Sequence, residues 1–182
     1  MSSHHPSPRH CRPLAALLAL CAVAYVHTAS PLSGPVQDLS TYPRVKLEIR
    51  SGAVRHTFDV WVADTPARQE QGLMFVRELA ANQGMLFPNC CSGIWMKDCY
   101  IDLDILFLAD QETPAERPRK LPRESTTAAG GGVIAKLAPR AQPHDETTIP
   151  APADVVAVVE LKGGSGELFK LKVGDRVTWT PE

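Results

Sequence analysis

Hydrophobic and polar positions alternate strictly in two neighbouring stretches of the chain. Val45, Leu47 and Ile49 interleave with Lys46, Glu48 and Arg50, and after Ser51 and Gly52 the even positions Val54, Phe58, Val60 and Val62 repeat the pattern. A period of two sends successive side chains to opposite faces, so these runs predict a half-buried β-hairpin. Asp64-Thr65-Pro66 marks a helix start, because Thr65 can accept from free amides and Pro66 suits the first helical position. Gly72 stops that helix after about two turns, so tertiary packing has to hold it. Further strands are predicted over Gly84 to Phe87, Ile94 to Met96, Ile101 to Leu108 and the β-branched run Val155 to Leu161. Val173-Gly174-Asp175-Arg176-Val177 reads as a tight turn entering a last strand that ends at Trp179. In Ile101 to Leu108, Asp102 and Asp104 share a face with Leu106 and Leu108. An acid in so apolar a strand needs a partner or water, since burying an unpaired carboxylate is costly.

Residues 111–132 break this regularity with Pro114, Pro118, Pro122, several charges and the triplet Gly130, Gly131 and Gly132. They predict a Pro/Gly-rich surface insertion with the triplet as a hinge. A strand over Val133 to Leu137 and a second loop containing Pro139, Pro143, Pro150 and Pro152 follow. The whole predicts an α+β protein, predominantly β: one compact domain over residues 44–182 with a barrel-like or strongly twisted sheet and a few short helices.

The N-terminus is of a different kind. Arg9 and Arg12 lead into the apolar run Leu14 to Val26, which ends beside the small residues Thr28, Ala29 and Ser30. Thirteen apolar residues fall short of the ~20 needed to span a bilayer, so residues 1–29 are expected to be a cleaved secretory signal and residues 30–43 a flexible linker. An uncleaved membrane anchor is the alternative. The expected product is therefore periplasmic or secreted, without a membrane span. Formal charge is −1 for the whole chain. Removing residues 1–29 leaves 17 basic against 20 acidic groups, or −3, which gives no general attraction for nucleic acid. Cys11 and Cys21 leave with the signal, so Cys90, Cys91 and Cys99 remain in a compartment where disulfides persist. An odd count predicts one bridge and one free thiol, with Cys90 and Cys91 competing for Cys99.

The order of motifs from about Phe58 to Val177 resembles the domain of unknown function 192 family, small and often exported prokaryotic proteins. The carriers are FDVWVADTPARQEQGLMF with Arg77, GMLF at Gly84 to Phe87, WMKD at Trp95 to Asp98, IDLDILF at Ile101 to Phe107, and VGDRV at Val173 to Val177. The resemblance implies a compact, mainly β domain and no established activity. Where that family usually has Lys-Asn-Thr or Lys-Asn-Ser, this chain has Lys97-Asp98-Cys99.

Three constellations carry candidate chemistry. Arg77, Trp95, Lys97 and Asp104 form the expected ligand-binding set. If Trp95 to Lys97 paired antiparallel with Asp102 to Ile105, Lys97 and Asp104 would meet beside an indole and orient a small polar ligand. The plainer alternative is a structural ion pair. Met74, Phe75, Met85, Phe87, Met96 and Phe107 are either pocket or core, and core is the ordinary fate of such residues. Cys90, Cys91 and Cys99 match no common zinc spacing, so no metal and no cofactor is expected. The favoured function is an exported module binding a small ligand or an envelope polymer. One alternative is a hydrolase or transferase on envelope carbohydrate, using Asp104 with Asp98, Asp102 or Glu160 as acid and base. Another is a structural or partner-binding domain. No catalytic residue is assigned, and oligomeric state is left open.

Overall fold

The structure is a computed structural model, and it describes residues 38–110 and 129–182. In chain order the elements are β1 (Arg44–Ser51), β2 (Val54–Val62), α1 (Pro66–Gln71), β3 (Gln83–Pro88), β4 (Gly93–Ile94), β5 (Leu103–Ala109), β6 (Gly130–Ala141), β7 (Ile149–Pro150), β8 (Val155–Lys162), α2 (Ser165–Leu168) and β9 (Arg176–Pro181). Seven strands close into a barrel in the order β1-β2-β3-β8-β5-β6-β9, while β4 and β7 pair separately. Closure matters because it leaves the barrel no open edge with unpaired backbone groups.

Local chemistry builds the elements as the pattern predicts. The β1–β2 hairpin pairs Val45 with Val60 and Leu47 with Phe58, so the alternating apolar residues face one side. The Thr65 side chain accepts from the Arg68 amide and Pro66 opens α1. This helix carries the chain back so that β3 pairs parallel to β2; every other pairing in the barrel is antiparallel.

Two apolar layers result. Leu47, Phe58, Val60, Leu106, Val159 and Val177 fill the barrel interior. Outside the barrel, Met85, Phe87, Val158, Ile105 and Phe107 on β3, β8 and β5 are covered by Leu73, Met74, Leu79, Met96 and Cys99. These three strands are thus buried on both faces. That is why their sequences read as near-continuous apolar runs, whereas β1 and β2 alternate cleanly.

Several expectations are corrected. The strand predicted over Ile94 to Met96 shrinks to Gly93–Ile94 and pairs with β7. It cannot lie along Asp102 to Ile105, because both sides of β5 are taken by β6 and β8. Gly130 to Gly132 are not a hinge but the start of β6, paired with β9. The reason is space: a Cβ on Gly130 would sit 2.5 Å from the Trp179 ring. β6 also runs through Pro139, where a loop was expected. Within the expected linker, Leu39–Thr41 form a 3-10 turn and Tyr42 is buried in the outer layer. The expected signal, residues 1–29, and most of the insertion, residues 111–128, lie outside the described residues. Among the described residues no helix is long and apolar enough to cross a membrane.

Candidate functional site

Strand β8 turns Ala157, Val159 and Leu161 into the barrel, so Val158 and Glu160 face the outer layer. Register places Glu160 between Met85 on β3 and Ile105 on β5. A carboxyl group thereby sits in the middle of an apolar wall. Over that wall lies a cavity of about 290 Å³, lined by Leu73, Met74, Phe87, Ile94, Trp95, Cys99 and Glu160, with Cys90, Cys91 and the polar residues of α1 also contributing. This volume is at the lower end of small-ligand pockets.

Glu160 is 4% exposed, and the Leu73 backbone N–H donates to its carboxyl group. Its other oxygen, Oε2, is buried with no hydrogen-bond partner. Burial pushes the carboxyl up to about 8 against the opposing pull of the Leu73 amide, so it is protonated at neutral pH. The neighbouring Cys99 thiol is pushed up to about 12, first by burial and then by the charges of Glu160 and Asp98. Such a thiol is a packing group, not a nucleophile. Gly72 makes the approach to Glu160 passable. It has φ +52°, and a Cβ there would stand 3.2 Å from the Phe87 ring and 3.8 Å from Glu160 Oε2.

The expected binding residues are dispersed. Trp95 is half-buried and lines the cavity, with the Lys97 ammonium 5.3 Å from its ring centroid. Arg77 is exposed, lies 4.6 Å over the Tyr100 ring, and borders a different hollow of about 740 Å³ with Glu78, Gln83, Asp102 and Lys162. Asp104 is fully buried on the interior face of β5. Its Oδ1 accepts from the Arg140 and Gly164 amides at 2.8 and 3.1 Å, and its Oδ2 from the Gly166 amide at 2.6 Å. The Gly164 cap of α2 has no side chain of its own, so Asp104 supplies the capping oxygens from across the barrel end. Beside it, Asp102 pairs with Arg140 at 3.0 Å. Lys97 and Asp104 do not meet.

The cysteines also rearrange. Cys90 and Cys91 are bonded to each other, and Cys99 is unbridged and buried in the outer apolar layer. This replaces the bridge to Cys99 expected from spacing. Asp98 has φ +54°, and its carbonyl accepts from the Phe75 amide at 2.9 Å. Asn and Asp both tolerate that left-handed geometry, which explains how an acid stands at a position where the resemblance expects an amide. Among the described residues, no group of three or more His, Cys, Asp or Glu side chains is placed to hold a metal ion. Sequence reasoning named Glu160 only as a possible neighbour of Arg77, Lys97 and Asp104 or as a partner for another acid. Its signal was an acid at an outward position of a strand that is otherwise apolar through Leu161.

Residues 46–130 match the DUF192 family, described as "Uncharacterized ACR, COG1430". Among solved structures, a candidate transcription regulator from Sinorhizobium meliloti 1021 is 28% identical with a TM-score of 0.62, covering 79% of this chain and 96% of its own. A protein of unknown function from Novosphingobium aromaticivorans DSM 12444 is 31% identical, also with a TM-score of 0.62, covering 79% of this chain and 90% of its own. No curated protein matches the sequence.

Proposed function

The chain belongs to the DUF192 family, a group of uncharacterized proteins, and within it we propose that this member is an exported module that binds a small molecule in the cavity beneath Trp95. The observation that carries this reading is Glu160 Oε2, a buried polar atom with no partner at the wall of an apolar cavity. Native proteins leave few such atoms unsatisfied, because each costs about 1–3 kcal/mol. A bound molecule that satisfies it would recover that cost. The remaining wall suits an apolar body: Leu73, Met74, Phe87 and Ile94 offer contact area, and half-buried Trp95 stands where a ligand would enter or leave.

Export is supported by the Arg9 and Arg12 n-region and the apolar run that follows it. The paired-carboxylate enzyme reading loses its pair, since Asp104 is sealed by backbone amides and opens on no shared cleft with Glu160.

Native mass spectrometry of the protein purified from an exporting host tests both halves. The supporting result is a chain shortened near residue 29 that carries a small-molecule adduct, lost on Trp95→Ala. A chain retaining its N-terminus contradicts export. A bare chain, whose thermal midpoint also fails to respond to any small molecule in a fragment panel, contradicts binding.

A further inference from the structure

The two oxygens of Glu160 are not equivalent, and their difference says what kind of molecule the cavity accepts. The Leu73 N–H is a donor, so the oxygen it reaches must be an acceptor. Oε2 is the oxygen without a partner, so Oε1 is the one facing Leu73. When the group is protonated, the proton therefore belongs on Oε2, and the cavity wall presents a single O–H donor with nothing to receive it. Resting on the binding reading above, we infer that the cavity takes an uncharged, largely apolar molecule whose carbonyl oxygen, as in a ketone, ester or amide, accepts a hydrogen bond from Glu160 Oε2.

The surroundings exclude the other charge classes. Among the described residues no Lys, Arg or His lines the cavity, so an anionic ligand would find no counter-charge there. An organic ammonium seated at Oε2 would require Glu160 to ionise among Met85, Phe87 and Ile105, where burial opposes the charged form, whereas Glu70 lines the cavity from α1. Among the described residues the titratable groups sharing the cavity with Glu160 are Cys99 from the covering loop, whose thiol feels the Asp98 charge, and Glu70 from α1; Lys97 stands on the Trp95 ring. β3 and β5 contribute only uncharged neighbours at its register. Cys99 keeps its proton to about 12, so it does not titrate in the range where Glu160 does.

Three probes of similar shape separate the outcomes: acetophenone, ethylbenzene and 1-phenylethylammonium, titrated into the full chain and followed by isothermal titration calorimetry and by NMR shifts of the Leu73 amide and the Trp95 indole. Acetophenone should bind at pH 6 at least about ten-fold more tightly than ethylbenzene, and this preference should fall below about two-fold at pH 9.5, where Oε2 has lost its proton. Glu160→Gln should keep the preference and lose its pH dependence, because the amide can accept from Leu73 and still donate into the cavity. Glu160→Leu should abolish the preference while ethylbenzene still binds. If all three probes shift the cavity resonances but ethylbenzene equals acetophenone, or the ammonium binds best, the inference fails and the binding reading stands. If no probe perturbs Leu73 or Trp95, both fail.

Discussion

Asp104 and Glu160 lie on adjacent paired strands, one register position apart, and face opposite sides of the barrel wall. Asp104 is opposite Leu161, whose side chain points inward, and Glu160 is opposite Ile105, whose side chain points outward. A single residue of offset in a period-two strand reverses the face. The two buried acids of this domain's sheet therefore serve separate purposes, and no chemistry can use them together.

The Asp104 side of that division predicts a structural phenotype. In Asp104→Asn one carboxyl oxygen becomes an NH₂ group, which would face either the Arg140 and Gly164 amides or the Gly166 amide donor to donor. Urea unfolding should show a loss of about 1–3 kcal/mol. Probe binding to the folded fraction should be unchanged, and a loss of binding without a loss of stability would contradict this assignment.

The Glu160 side predicts a pH dependence. Its folded-state value, about 8, lies above the ordinary 4.5, so the unfolded chain releases the proton before the folded one does. Between those values rising pH favours unfolding, and Glu160 contributes most to stability below pH 4.5 and loses a few kcal/mol of that contribution by about pH 8. Glu160→Gln removes the titration. The stability difference between variant and wild type, measured by urea midpoints at pH 5, 7 and 9, should grow in favour of the variant as pH rises; a constant difference would refute burial as the cause.

Cysteine reactivity should divide along the same layer. Peptide mapping after iodoacetamide treatment of the folded, non-reduced protein should find Cys90 and Cys91 joined and Cys99 unmodified, with Cys99 alkylated only after unfolding. Rapid native labelling of Cys99, or a peptide linking it to Cys90 or Cys91, would contradict the arrangement.

Gly84 offers a backbone test. A Cβ at this position would overlap the Glu160 carbonyl oxygen and come within 2.8 Å of Leu161. Gly84→Ala should push β3 away from β8, lower stability by about 1–3 kcal/mol and distort the cavity above Glu160. A thermal midpoint equal to wild type would show that the two strands are not so closely apposed.

Much of the strand and helix content was legible because it is written in local periodicity. Val45 to Ile49 and Val54 to Val62 alternate since one of their faces meets solvent, and Thr65, Pro66 and Gly72 bracket α1 through backbone chemistry within a few residues. The Gly130 to Gly132 stretch misled for the opposite reason. Glycine usually marks freedom, but here it marks the close passage of β6 beneath Trp179, a contact between residues far apart in the chain. Trp95, expected in a site from its motif, lines the cavity, whereas Lys97 and Asp104 looked like partners only on an assumed pairing of β4 with β5.

Local pattern alone specified β1, β2, β3, β5, β8 and β9, the bounds of α1, the predominantly β class and the family, because these depend on neighbours within a few positions. Only the tertiary structure decided that the sheet closes, that Asp104 caps α2 while Glu160 faces a cavity, and that Cys90 bonds to Cys91. Those outcomes depend on strand order and register. Both are set by contacts between distant residues, and one step of register decides which side of a wall a carboxyl group is on.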